Sequence, residues 1–214
     1  MALHLNVNQK NPSDQPLVLA AEVIQAGGVI VYPTETIYGI GANAWNSAAV
    51  SRVQKIKHRS DPKPILVVVD SAEAAAGVTA EIPRMARPFM DRFWPGPLTL
   101  VMKASLLLPE ALTLGRGTIG VRIPSNPVCL RLLALCGCPL TSTSANLSGE
   151  KTASAPEEIE RHLGQGIDLY LNAGVLPEAI PSTVLDVTGD RPKLIREGAI
   201  RFHQLTDLYP SIER

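Results

Sequence analysis

The chain has 214 residues, 45% of them apolar, and its 20 basic residues balance 20 acidic ones. It is long enough to bury a sizeable core, and its neutral balance excludes wholesale electrostatic wrapping of nucleic acid, confining any anion site to a local patch. No stretch is long and apolar enough to span a bilayer, and the polar N-terminus has no secretory leader, which predicts a cytoplasmic protein without a membrane partner.

Residues 1–14 read as a polar tail. Leu17, Leu19, Ala20, Ala21, Val23, Ile24 and Ala26 then recur with helical period up to a stop at Gly27-Gly28, and VIVY (29–32) follows as a buried strand. The segment Ser47 to Lys57 predicts a helix with Val50, Val53 and Ile56 on one face and Ser47 as its N-cap. ILVVV (65–69) is a β-branched run suited to a strand covered on both faces. An alanine-rich helix and a helical stretch from Arg84 to Phe93 lead to the WPGP turn (94–97). LTLVMK (98–103), TIGVRI (118–123), LYLN (169–172), TVLDV (183–187) and KLIRE (193–197) are further strands, and Pro127 to Cys136 is a helix.

Three cysteines, Cys129, Cys136 and Cys138, are too few and too clustered for a disulfide framework, and four scattered histidines lack metal spacing. The thiols read as small buried hydrophobes. The polar segment 149–160 is the best candidate for a mobile loop, entering a helix at Pro156. Strands and helices mix without strict alternation, which predicts an α/β (α+β) domain over 15–205, built on a twisted mixed sheet, with a C-terminal tail at 206–214.

Several stretches carry chemistry. KIKHRSDPKP (55–64) gathers Lys55, Lys57, His58, Arg59 and Lys63 against the single acid Asp61. It reads either as an anion grip, with Lys57 and Arg59 projecting to one side, or as the solvated end of a helix. YPTETIYGIGA (32–42) begins at a strand end, where open α/β sheets gather ligands, and makes Thr34 a candidate contact; Pro and Gly building a tight loop is the alternative. In GRGTIGVRIP (115–124), Thr118, Gly120 and Arg122 alternate to one face, so Arg122 faces room for an anion or forms a structural ion pair. TSTSANLSG (141–149) is a hydroxyl-rich turn or the wall of a pocket for an oxygen-rich ligand. Ser182, Thr183 and Arg196 lie near strand ends. No Ser-His-Asp order, carboxylate pair or metal cluster emerges; the inventory is one of donors, suited to binding anions and stabilising charge.

Seven ordered stretches, YPTETIYGIGA, KHR with Lys63, RFWPGPLTLV, GTIGVRIP, TSTSANLSG, STVLDV and LIREGAI, resemble the YrdC-like threonylcarbamoyl-AMP synthases over roughly residues 17–202. The resemblance implies a single YrdC-like domain with a central concave cationic site. It implies a nucleotidyltransferase that condenses L-threonine, bicarbonate or CO2, and ATP to threonylcarbamoyl-AMP and pyrophosphate. The product would pass to tRNA-modification proteins that act on the adenosine beside the anticodon. The family signature K-x-R…S-x-N falls on Lys57, Arg59, Ser144 and Asn146, the implied catalytic group. Threonine contacts carry over to Thr34, Arg122, Ser142 and Ser182. ATP contacts carry over to Arg59, Lys63, Thr118, Ser144, Thr152 and Arg196. Lys57, Arg59 and Lys63 would neutralise phosphate charge, and Mg2+ would be held mainly by phosphate oxygens, with no metal site from protein side chains. Val68 stands where longer members carry a threonine-holding histidine, which keeps a YciO-like paralogue with another substrate, or an RNA-binding module of the same fold, as alternatives.

Overall fold

The computed structural model describes residues 2–57, 63–147, 153–163, 165–176 and 180–214. The N-terminal segment expected to be a polar tail supplies a strand, β1 (Leu3–Asn6), and only then enters α1 (Asp14–Gln25), which buries Leu17, Ala20, Ala21 and Ile24. β2 (Ile30–Tyr32) turns through the loop 33–38 into β3 (Gly39–Gly41). α2 (Ser47–Ile56) buries Ala49, Val50, Val53 and Ile56; its N-cap is Asn46 rather than Ser47, because the Asn46 amide oxygen accepts from both Ala48 N and Ala49 N at 3.1 Å.

The apolar run expected as a strand over 65–69 pairs only over β4 (Val67–Val68), although Ile65, Val67, Val68 and Val69 are all buried. α3 (Ala72–Val78) is capped by the Ser71 hydroxyl, and α4 (Arg87–Phe93) follows a short 3-10 turn at Arg84–Ala86. Next come β5 (Leu98–Lys103), the single turn α5 (Glu110–Thr113) and β6 (Thr118–Arg122). α6 (Pro127–Cys136) starts with proline in its first turn under an Asn126 cap and stops at Gly137 in the left-handed region (φ 61°). Burial pushes its Cys136 thiol up to about 12 and the neighbouring Cys138 thiol to about 11, while fully buried Cys129 is displaced further in the same direction. β7 (Leu140–Thr141) and β8 (Thr143–Ser144) are separated by one residue. α7 (Pro156–Leu163), β9 (Leu169–Asn172), β10 (Thr183–Asp186), β11 (Lys193–Arg196) and α8 (Phe202–Leu208) complete the described elements.

The strands form two mixed sheets, ordered β1-β9-β2-β3-β8 and β11-β10-β5-β6-β4-β7. β1, β9 and β2 run parallel, and β3 and β8 add antiparallel ladders to that sheet. β5 lies between parallel β10 and antiparallel β6 in the other. The C-terminal stretch is also fastened, since Leu194 N donates to Glu213 O at 2.8 Å.

Two apolar clusters fill the space around the sheets. One joins α1, α6 and the outer faces of β2, β4 and β9 through Leu17, Ile24, Val68, Leu132 and Leu169. The other is larger and centres on Val31, Ile40, Val53, Leu100, Phe89 and Val121. Burying side chains of this size contributes about 1.5–3 kcal/mol each before the entropy of ordering them is charged against it. Functionally, what matters is the seam. Because β7 belongs to one sheet and β8 to the other, the chain changes sheets at Ser142, so residues 141–146 touch both.

Candidate functional site

Along the seam the hydroxyls divide between two duties. Thr141 is fully buried; its Oγ1 donates to Ile40 O and accepts from Ala42 N, stitching β3 to β7. Ser142, Thr143 and Ser144 instead face a cavity of about 240 Å³. Ser142 is held there by its own N–H, which donates to Leu66 O at 2.9 Å. Gly39 forms part of the same wall, and a Cβ at that position would lie 3.1 Å from Ser142 Oγ. The hydroxyl-rich stretch is thus partly the turn chemistry that small polar residues provide and partly a pocket wall.

Cations close the cavity from the other side. Lys63, Arg122 and Arg196 all line it, together with the Ser182 hydroxyl and the apolar side chains of Leu66 and Ile37. Arg122, at the end of β6, is 97% buried (3% exposed), and its Nη1 donates to Thr36 Oγ1 at 2.9 Å. Arg196, on β11, donates from Nε and Nη2 to Ser182 O at 3.2 and 2.8 Å, which fixes its guanidinium beside Arg122. Burial, and secondarily the charge of Arg122, hold Arg196 below the ordinary arginine value. Two guanidiniums lining one pocket with Lys63 make it electropositive. Ser182 is positioned by a 2.9 Å hydrogen bond between its hydroxyl and that of Thr99.

Not every residue read from the sequence faces this space. Thr34 Oγ1 accepts from Thr36 N and Ile37 N and donates to Ile37 O at 2.7 Å, so its hydroxyl builds the loop and Thr36 takes the place by the cavity. Lys57 is 1% exposed and caps α2; its Nζ donates to Ser144 O at 2.6 Å, to Asn146 Oδ1 at 2.9 Å and to the Asn146 carbonyl. Asn146 Oδ1 also accepts from Ser144 Oγ at 2.6 Å. Lys57, Ser144 and Asn146 therefore come together as expected, but as a knot behind the wall in which the ammonium clamps the loop rather than facing the cavity. Thr118 lies on the Arg122 face of β6, about 13 Å away at a strand rise of about 3.3 Å per residue, outside the cavity lining. Arg59 and Thr152, and most of the expected loop at 149–155, fall on residues outside those described. Val68 is fully buried on β4 in the α1–α6 cluster, while Leu66 on the same face reaches the cavity.

Sequence reasoning passed over Thr36, Ile37, Leu66 and Thr143. The available signal was alternation: Thr34 and Thr36 share spacing, and the first of the two is the one that a turn captures. Among the described residues no group of three or more His, Cys, Asp or Glu could hold a metal ion, and no helix is long and apolar enough to cross a membrane.

The fold and the site define a two-sheet α/β domain whose seam carries a hydroxyl-lined pocket under converging cations. Residues 22–198 match the Sua5/YciO/YrdC family, which is described under telomere recombination, and the chain belongs to that family. It is 33% identical over 205 residues to a threonylcarbamoyl-AMP synthase of Pyrococcus abyssi, covering 96% of this chain and 60% of that protein. It is 35% identical over 201 residues to YciO of Escherichia coli K12, an uncharacterized protein, covering 92% and 96% of the two chains. The crystal structure of P. abyssi Sua5 complexed with L-threonine superimposes with a TM-score of 0.94 at 32% identity, over 99% of this chain and 62% of that one. The chain thus spans about 60% of the length of the synthase and of the Sua5 chain.

Proposed function

We propose that the chain is an L-threonylcarbamoyladenylate synthase, a nucleotidyltransferase that condenses L-threonine, bicarbonate or CO2, and ATP to threonylcarbamoyl-AMP and pyrophosphate for tRNA modification. The observation that carries the reading is the convergence of Arg122, Arg196 and Lys63 on a hydroxyl-lined cavity, in a chain whose synthase and Sua5 relatives match it over nearly its whole length. Arg122 is the group to clamp the threonine carboxylate, with Thr36, Ser142 and Ser182 donating to its oxygens. The small apolar surfaces of Leu66 and Ile37 suit a methyl-bearing side chain. Ser144, Lys63 and Arg196 would contact the phosphates, and Arg59, Thr118 and Thr152 are assigned to the nucleotide as well. Lys57 and Asn146 serve the reaction by holding Ser144.

In the reaction the threonine ammonium first releases a proton to water; the free amine attacks the carbon of CO2, one C–O π bond becomes the carboxylate lone pair, and the nitrogen gives a second proton to water, leaving a carbamate. A carbamate oxygen then attacks the α-phosphorus; the new P–O bond forms as the bond to pyrophosphate breaks. The protein's part is to hold the two anions together and to stabilise charge that moves onto the leaving group. Magnesium would arrive on the phosphates of ATP, since the lining is cationic and hydroxylic and offers no carboxylate cage. A YciO-like reaction is the second reading, favoured by the match to YciO over nearly the full length of both chains and by Val68.

Pyrophosphate release by the purified chain, with threonine and bicarbonate omitted in turn, tests the proposal. A requirement for both co-substrates supports it, whereas release indifferent to threonine points to the YciO-like reading.

A further inference from the structure

The loop that delivers Thr36 to Arg122 also delivers Glu35. Its side chain is 83% buried (17% exposed), and Oε1 lies 3.9 Å from Arg122 Nη1. That distance is an ion pair without a hydrogen bond. Both Glu35 oxygens and Arg122 Nε are shielded from water, and none of the three has a hydrogen-bond partner among the described residues. Such an arrangement is costly for a carboxylate and useless for aiming a guanidinium, because orientation is set by directional hydrogen bonds, and among the described residues Arg122 makes its hydrogen bond to Thr36. What remains is charge. Glu35 is not part of the cavity lining, and the Tyr32 phenol and Cys129 thiol, which feel the charges of both Glu35 and Arg122, are kept protonated by burial, so Glu35 is the acid that faces Arg122. Arg196 and Lys63 line the same cavity as Arg122.

We infer that Glu35 is a built-in counter-ion of the cavity, balancing Arg122 while no ligand is bound and weakening the hold on bound anions so that an anionic product can leave. It acts on the ligand through its charge opposite Arg122 and is not a catalytic residue. The inference rests on reading the cavity as an anion site, and it adds a residue that sets how tightly that site holds its anion. A carboxylate with a structural duty alone would, on neutralisation, loosen the pocket and weaken binding. A counter-ion gives the opposite sign, because its removal leaves the cations facing the ligand without competition.

The test uses inorganic pyrophosphate as the probe, titrated calorimetrically into wild type, E35Q and E35D at low and moderate salt. The amide of E35Q keeps the shape and removes the charge; E35D keeps the charge. E35Q is expected to bind at least threefold tighter than wild type with a steeper salt dependence, and E35D to stay within about twofold of wild type. The thermal shift on adding pyrophosphate should likewise be larger for E35Q. Equal or weaker binding by E35Q, with wild type binding normally, overturns the counter-ion and leaves the synthase reading standing. Failure of both proteins to bind pyrophosphate overturns the counter-ion together with the anion site. An E35Q chain that folds only when pyrophosphate is present supports the inference, and one that stays unfolded in saturating pyrophosphate overturns it.

Discussion

Replacing Lys57 with methionine separates a clamp from a phosphate ligand. The ammonium is 1% exposed and donates to Ser144 O, Asn146 Oδ1 and the Asn146 carbonyl. A methionine fills similar volume but leaves those acceptors facing an apolar group. Hydrogen bonds to a charged donor contribute about 1.5–3 kcal/mol each, and relief from burying the ammonium offsets part of their loss, so about 3–5 kcal/mol of stability should go. For a chain of this length about 1 kcal/mol moves the Tm by about 2–4 °C, which places the expected fall at roughly 6–20 °C. Thermal unfolding monitored by circular dichroism, run beside an activity assay, reads both consequences. The clamp requires stability and turnover to fall together, because Ser144 moves with the loop. A Tm within about 2 °C of wild type combined with a large loss of turnover would refute the clamp and return Lys57 to direct contact with phosphates.

Arg122→Gln should raise the KM for threonine by about 30-fold to 1,000-fold, and Arg122→Lys should restore little of it, because a point charge does not reproduce the paired donors; steady-state kinetics with varied threonine measures this. Gly198→Ala should destabilise by about 1–3 kcal/mol, since its Cβ would lie 2.2 Å from Pro181 O and 2.7 Å from the Ser182 carbonyl carbon, displacing the segment that carries the cavity's Ser182; urea unfolding checks it. Burial raises the Tyr38 phenol to about 12. The native state therefore keeps a proton that the unfolded chain loses above about 10, so the Tyr38 contribution is intact below about pH 10 and is lost as pH rises through about 12. Tyr38→Phe should flatten the fall in stability between about pH 9 and about pH 11 by about 1.4 kcal/mol, read from urea unfolding at each pH; an unchanged slope would contradict the assignment.

Strands such as 98–103 and 169–172 were legible because β-branched and aliphatic side chains are packed into short runs between turn residues. β1 was not, since Leu3-His4-Leu5-Asn6 is brief and polar and gains its order from parallel pairing with β9, a partner about 165 residues away in sequence. β3 was hidden by Gly39 and Gly41, which signal a turn locally. The Tyr32 ring explains the second glycine, because a Cβ at Gly41 would lie 2.6 Å from Tyr32 Cε1. In the site, residue types announced a cationic, hydroxyl-rich pocket, and Lys63, Arg122, Ser142, Ser144, Ser182 and Arg196 do meet around one cavity. Their division of labour was not legible. Whether Lys57 faces a ligand or a carbonyl, and which threonine of the TET stretch a turn absorbs, depends on contacts across the seam that no local pattern encodes.

The most direct measurement is incorporation of labelled L-threonine into a nucleotide by the purified chain supplied with ATP, magnesium and bicarbonate. Labelled threonylcarbamoyl-AMP formed in step with pyrophosphate, and lost in Arg122→Gln, is the expected result. Pyrophosphate released without a threonine-bearing adenylate, or no release from the folded protein, would contradict the assignment of the cavity to this condensation.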